Sequence, residues 1–339
     1  MSEGPLIAEI AALLDAPSSR VPELQFDLCA TGGNNRVYVA TFRGRKLVVK
    51  QYFRNASDPR DRLRAEHAFL SYAAGAGVSN VPRVIACDPA RGIGIYEFID
   101  GHKLAAGEID AARVREAAAF FLSLNDAACR AGARDLPPAS EACFNIAEHF
   151  AMVDGRIARF DGVAAEDETT RAARQFIGDL AARWEAVKSE ISRAAPGQTL
   201  TAEVPERCVS PSDFGFHNAI ARPTGPLCFL DFEYAGWDDP AKMVGDFFSH
   251  PAVPVPREHF DDFVRLTMSF SRRANELGAR ARLLLPVFQT KWCCIILNEF
   301  VPSSAERRRF ADPRMDEETR KRAQLEKARA LFDKIERSF

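Results

Sequence analysis

Between Ser210 and Asp246 the chain sets a carboxylate at Asp213, an amide five residues later at Asn218, and a second carboxylate thirteen beyond that at Asp231. The intervening text fixes how these can lie. Leu227 to Leu230 is an apolar run that follows Pro223, Thr224, Gly225 and Pro226, which predicts a short buried strand after a tight turn. Asp231 then falls where the strand stops and a side chain can face a cleft. Asp213 to Asn218 reads as a loop, with Gly215 supplying backbone freedom. Taken singly, Asp213 and Asn218 also read as turn caps and Asp231 as a helix cap. Together they suit a site for Mg²⁺ and a nucleoside triphosphate. Phosphoryl transfer needs a carboxylate to position a hydroxyl and oxygen ligands to fix the metal against the phosphates. Asn218 and Asp231 offer the ligands, and Asp213 remains to accept the acceptor's proton.

The amino-terminal third supplies a second set. Arg36 to Phe42 and Lys46 to Phe53 read as a hairpin turning at Arg43, Gly44 and Arg45. Ahead of it, Gly32, Gly33, Asn34 and Asn35 either make an ordinary turn or bring backbone N–H groups to an anion. Asp58 and Pro59 read as the start of a helix whose apolar face runs through Leu63, Leu70, Ala73 and Ala74. Glu66 falls on that buried stripe, and Lys50 lies in a strand beside Val48 and Val49. Each is costly to bury alone. Pairing them solves both problems and holds the lysine where it can touch phosphates; the alternative is that Lys50 snorkels and Glu66 rides the helix rim.

Strands over Pro82–Ala86 and Ile93–Ile99 complete a five-stranded, mostly antiparallel unit that ends at Asp100 and Gly101. Helices are expected thereafter over Ala111–Ala131, Ala142–Phe160, Thr169–Ala194, Arg257–Leu277, Leu283–Phe300 and Met315–Phe339. The 339 residues, 47% hydrophobic, are enough for two cores. A formal charge of −2 leaves no electrostatic footprint for nucleic acid or an anionic membrane. The start of the chain lacks a basic, apolar leader, and no run is long enough to span a bilayer. Eight scattered cysteines, none spaced Cys-x-x-Cys, fit free thiols in a reducing cytoplasm. Oligomeric state is not legible.

This order of parts resembles the kinase-like fold, and more narrowly the aminoglycoside phosphotransferase and choline kinase superfamily of small-molecule kinases. The resemblance runs from Gly32 to about Asn298. It implies an α+β, bilobal fold, with residues 1–100 as a nucleotide-binding lobe and 101–339 as a helical lobe carrying the catalytic loop, metal site and acceptor pocket. It makes Gly32, Gly33, Asn34 and Asn35 the nucleotide loop, and Lys50 and Glu66 the phosphate-gripping pair. Glu97, Phe98 and Ile99 become the hinge against the adenine edge. Asp213 becomes the catalytic base, Asn218 and Asp231 the metal ligands, and Asp246 the brace beneath the catalytic loop. ATP and Mg²⁺ are the implied cofactors. The 116 residues from Glu97 to Asp213 exceed what a eukaryotic-type protein kinase places there.

Two departures stand out. Pro211 occupies the position, two before Asp213, where the family carries His. After Asp246 the text is Phe247, Phe248, Ser249, His250, Pro251 rather than the acidic and aromatic segment of choline kinases, which argues against choline itself. His217 either touches phosphate or is satisfied within its loop. Glu233, Trp237, Asp238, Trp292 and Glu299 are candidates for the acceptor pocket, with a polyhydroxylated or amine-bearing substrate in view; the tryptophans read equally as core aromatics. The expected function is ATP- and Mg²⁺-dependent phosphorylation of a small-molecule hydroxyl (sugar, aminoglycoside-like or amino alcohol). A nucleotide-binding pseudokinase of the same fold is the alternative.

Overall fold

The computed structural model describes residues 4–14, 25–31, 35–54, 60–163, 165–195, 197–301 and 316–335. Five strands form one antiparallel sheet: β1 (Gln25–Thr31), β2 (Asn35–Phe42), β3 (Arg45–Tyr52), β4 (Val84–Asp88) and β5 (Ile93–Glu97), in the order β1-β2-β3-β5-β4. Its two faces differ because side chains alternate along each strand. Tyr38, Ala40, Phe42, Leu47, Val49, Ile93 and Ile95 form an apolar cluster on one face. That cluster is completed by Leu6 and Ile10 from helix α1 (Gly4–Leu13), an element the sequence reading did not anticipate. Lys50 falls on the opposite face, paired in register with Val37 on β2 and Gly94 on β5.

Helix α2 (Arg62–Gly75) begins later than Asp58 and Pro59 suggested. Its N-cap is Asp61, whose carboxylate accepts a 3.0 Å bond from the Arg64 amide. Asp58 and Pro59 lie outside the described residues, as do Gly32, Gly33 and Asn34 of the expected nucleotide loop.

The remainder is helical, with two small sheets that carry the candidate site. The helices are α3 (Ala111–Asn125), α4 (Ala127–Arg130), α5 (Ile146–Ala158), α6 (Glu168–Ala194), α7 (Pro240–Ser249), α8 (Phe260–Thr267), α9 (Ala274–Leu297) and α10 (Glu317–Phe332). One small sheet pairs β7 (Cys208–Ser210) with β10 (Gly236–Asp238); the other runs β6 (His102–Lys103), β8 (Ala219–Ala221), β9 (Cys228–Phe229). The expected break between Leu277 and Leu283 is absent. The chain breaks instead at Ser271–Arg273, and α9 runs through Gly278 and Pro286. A side chain at Gly278 would stand 3.4 Å from Val264 of α8, so the glycine marks close helix packing there and not an end.

Aromatic rings knit the helical part beneath the loop that follows β7. Phe120 stacks on Phe229, Phe69 on Phe232 and Phe247 on Phe263, with centroids 4.4–4.5 Å apart. All of the described cysteines are free thiols, and among the described residues no helix is long and apolar enough to cross a membrane.

Candidate active site

The loop from Pro211 to Asn218 is anchored at its start by a buried amide. Asn125 Nδ2 donates to the Val209 carbonyl at 2.9 Å, and Asn125 Oδ1 accepts from the Val209 amide at 2.8 Å. β7 therefore cannot slide. Beyond it, Ser212 and Asp213 both take left-handed backbone angles, with φ of 46° and 44°. Non-glycine residues occupy that region at a cost, so the surroundings must hold them. Phe214 and Phe216 turn into the core on either side of Gly215, which leaves Asp213 toward the cleft.

Asn218 closes the loop. Its Nδ2 donates to the Asp213 carbonyl at 3.1 Å, which commits the nitrogen and leaves the amide oxygen as the atom that could meet a metal. The antiparallel register of β8 and β9 pairs Ala219 with Phe229, and the Leu230 amide bonds the Asn218 carbonyl at 2.8 Å. Asn218 thus lies across from Leu230, next to Asp231. Asp231 is itself left-handed, with φ of 68°.

From the sheet side, Lys50 Nζ lies 2.7 Å from Glu66 Oε1 and 2.8 Å from Asp231 Oδ1. Burial alone would pull the Lys50 ammonium down, but Asp231 and Glu66 outweigh it and hold the pKa above the ordinary lysine range. Tyr52 donates to Glu66 and lies 2.7 Å from the Tyr96 hydroxyl, and the Phe232 amide reaches Glu66 Oε1 at 3.4 Å. Glu66 thus sits on the buried stripe of α2 with a cation and a hydroxyl facing it. A second link joins the same parts: Asn35 Nδ2 donates to Glu233 Oε2 at 2.5 Å, and Arg62 Nε lies 3.9 Å from Glu233 Oε1. Burial, and then Asp231, push the Glu233 carboxyl up to about 6.

Around Asp213 the neighbours are imidazoles. His217 Nε2 and His250 Nε2 lie 3.4 and 3.7 Å from Asp213 Oδ1, and the two rings stack with centroids 3.5 Å apart and 3° between planes. Burial would raise the Asp213 carboxyl, but these imidazoles hold it below the usual aspartate range. Trp292 meets the His250 ring edge-on at 4.4 Å and donates from Nε1 to Asp246 Oδ1 at 2.9 Å. Lys291 also contacts Asp246 Oδ1, and Lys242 Nζ lies 3.5 Å from Asp246 Oδ2. Asp246 thereby ties α7 to α9 under the site.

The structure thus brings Asn35, Lys50, Glu66, Asp231 and Glu233 together on one side and Asp213 and Asn218 on the other, with Trp292 and Asp246 behind. Glu97 ends β5, two residues short of the expected Ile99, and Phe98 and Ile99 lead on toward the helical part. A depression of about 400 Å³ opens against them, lined in part by Lys46, Arg83, Glu97 and Phe98. The remaining candidates are engaged elsewhere. Trp237 donates to the Ala133 carbonyl at 2.9 Å within β10, Asp238 is fully buried with Lys242 at 2.7 Å, and Glu299 meets Arg320 of α10 at 2.6 Å. Tyr52, Arg62, Tyr96 and His250 were not singled out from the sequence. Tyr52 alone carried a signal, being two residues from Lys50 on the same strand face.

Residues 28–262 match the model of the phosphotransferase enzyme family, well over half of the chain. The chain belongs to that family. With the family comes the class of activity, phosphoryl transfer to an alcohol group of a small molecule. No curated protein sequence matches the chain. Among solved structures it is similar to a choline kinase from Cryptosporidium parvum Iowa II (12% identity, 98% of this chain and 97% of that one, TM-score 0.60). It is likewise similar to the choline kinase LicA from Streptococcus pneumoniae (16%, 97% and 98%, 0.60). The streptomycin–ATP–APH(2″)-IIa ternary complex is a third (14%, 90% and 95%, 0.55). Identities this low carry the fold alone, and that fold is the bilobal, protein-kinase-like one.

Proposed function

We propose that this phosphotransferase moves the γ-phosphoryl group of ATP, with Mg²⁺, to a hydroxyl of a small molecule such as a sugar, an aminoglycoside-like compound or an amino alcohol. The observation that carries the reading is Lys50 held between Glu66 and Asp231, with the Asn218 amide oxygen one residue away in register. An amide oxygen and a carboxylate are the donors a hard cation takes, so the residues present fit Mg²⁺. Asn218 and Asp231 would hold Mg²⁺ there, and the ion would supply positive charge against the phosphates.

The chain's own residues have separate tasks. Asn218 and Asp231 would hold the metal. Lys50, oriented by Glu66, would grip the phosphates, and Gly32 to Asn35 would cover them. Glu97 to Ile99 would border the adenine. Asp213 would orient the acceptor hydroxyl and take its proton. Its low pKa makes it a better positioner than proton store, in keeping with transfer that asks more of geometry than of base strength. Trp292, packed edge-on against His250, is an acceptor-side candidate on the side of the base. Residues 1–100 and 101–339 would serve as the nucleotide and acceptor lobes, and the unpaired thiols are what supports a reducing, cytoplasmic setting.

The test is a screen of a small-molecule pool with γ-labelled ATP, comparing the native chain with Asp213→Ala. Label should enter a small molecule only with the native chain and only with Mg²⁺. Label in neither, across polyols and amino alcohols, would favour the pseudokinase reading.

A further inference from the structure

Positions 210–212 read Ser, Pro, Ser, so no imidazole within the loop precedes Asp213. The carboxylate nonetheless hangs on two successive left-handed residues, and something must fix its rotation. Two imidazoles face its Oδ1, and they are not equivalent. His250 Nδ1 accepts a bond from the Ala252 amide at 3.3 Å. A neutral imidazole with Nδ1 accepting carries its proton on Nε2, the nitrogen that faces Asp213. The ring is clamped between the His217 face and the Trp292 edge, and the Trp292 indole is tied to Asp246. The His250 backbone amide is tied as well, to the Asp246 carbonyl at 3.1 Å. His217 Nε2 lies nearer, 3.4 Å from Asp213 Oδ1, but its buried Nδ1 has no hydrogen-bond partner to fix which nitrogen carries the proton. Its ring can fold back against the loop only because residue 215 lacks a side chain, since a Cβ there would stand 2.7 Å from His217 Nδ1.

We infer that His250 is the positioning residue for the proposed phosphoryl transfer: its Nε2–H orients Oδ1 of Asp213, so that Oδ2 meets the acceptor hydroxyl. The inference rests on the reading of Asp213 given above. At 3.7 Å the contact is longer than a hydrogen bond, and contacts of this kind tighten when the substrate site fills. His250 stays neutral because burial, and then His217, push its imidazole down to about 3. It therefore donates without placing a charge beside the base. Asp213, His217 and His250 are close enough to suggest a metal set. However, two rings stacked in parallel planes cannot both hold one ion in plane, so a donor role fits this geometry better.

Two measurements decide it. Long-range ¹H–¹⁵N correlation of the whole chain with Mg·ATP should show His250 protonated at Nε2, with that resonance moving in Asp213→Asn. A proton on Nδ1 would overturn the inference whatever the protein phosphorylates. Kinetics of Mg·ATP hydrolysis, with water standing in for the acceptor, supply the second. His250→Phe keeps an aromatic stack without a donor and should lower kcat about 10- to 100-fold, the scale of a small misplacement, with KM for ATP unchanged. His250→Gln restores an N–H and should recover most of the loss. Equal rates for His250→Phe and the native chain would remove His250 while leaving Asp213 in place, whereas full turnover by Asp213→Ala would remove both.

Discussion

Lys50 and Asp231, 181 residues apart in sequence, form a 2.8 Å ion pair that joins the sheet to the strand end carrying the candidate metal ligand. Lys50 is also the partner of Glu66, which is almost wholly buried. Removing the lysine leaves that carboxylate uncompensated, and breaking a buried pair from one side costs about 3–5 kcal/mol. Lys50→Met should therefore lose stability on that scale in urea denaturation as well as turnover. Native stability would mean that Glu66 is held chiefly by Tyr52.

Asp231→Ala acts differently. It removes one partner of Lys50 but leaves Glu66 paired, so the fold should survive. Mg²⁺-dependent nucleotide binding should disappear, while any Mg²⁺-independent binding persists. Calorimetric titration with ATP in excess Mg²⁺ and then in EDTA reads the difference. Identical titrations for the variant and the native chain would take Asp231 out of the metal site.

Asp213→Asn retains the shape of the loop, including the Asn218 bond to the residue-213 carbonyl, and removes only the charge. A positioned base contributes about 10²–10⁴ in rate. Labelled-ATP turnover should fall by that factor, with KM for ATP within about twofold.

Much of this was legible because the decisive residues carry a burial problem. Lys50 in an apolar strand and Glu66 on an apolar helix face imply one another, and the structure pairs them. The apolar run ending at Asp231 likewise predicted the strand β9. What the sequence left open depends on tertiary contact. The packing of α1 on the sheet rests on Leu6 and Ile10, a weak local pattern. The start of α2 was placed too early because Asp58-Pro59 is as good a local signal as the real cap, Asp61. The gap expected between Leu277 and Leu283 closes because Gly278 packs against Val264 of α8, a partner invisible locally. Glu299, Asp238 and Trp237 carry suitable chemistry, but each already has a partner supplied by another part of the chain: Arg320, Lys242 and the Ala133 carbonyl.

Gly245 offers a stability test of how α7 is set. A Cβ there would stand 2.1 Å from Phe288 of α9, well inside contact distance. The same crossing aligns Asp246 with Lys291 and Trp292. Gly245→Ala should cost about 1–3 kcal/mol by overpacking, read from the urea midpoint. Because His250 ends the same helix, turnover should fall by more than a remote substitution of equal cost would cause.

The His250 imidazole predicts how stability depends on pH. Its pKa is about 3 in the folded chain, against 6.5 when unfolded, because burial and then His217 disfavour the charged ring; Asp213 and Asp246 act in the opposite sense but do not prevail. Between those values the unfolded chain binds the extra proton, so stability rises with pH. The contribution is complete above about 6.5 and is lost as pH falls toward 3, up to about 5 kcal/mol if the whole shift is realised. Other groups also titrate in this range, so the readout is a difference. Urea denaturation of the native chain and of His250→Gln at pH 4.5, 5.5 and 7 should show the native chain losing more stability on acidification. Parallel curves would mean that His250 accepts a proton in the folded protein as readily as in the unfolded one, and the packed stack of His217, His250 and Trp292 would have to open to allow it.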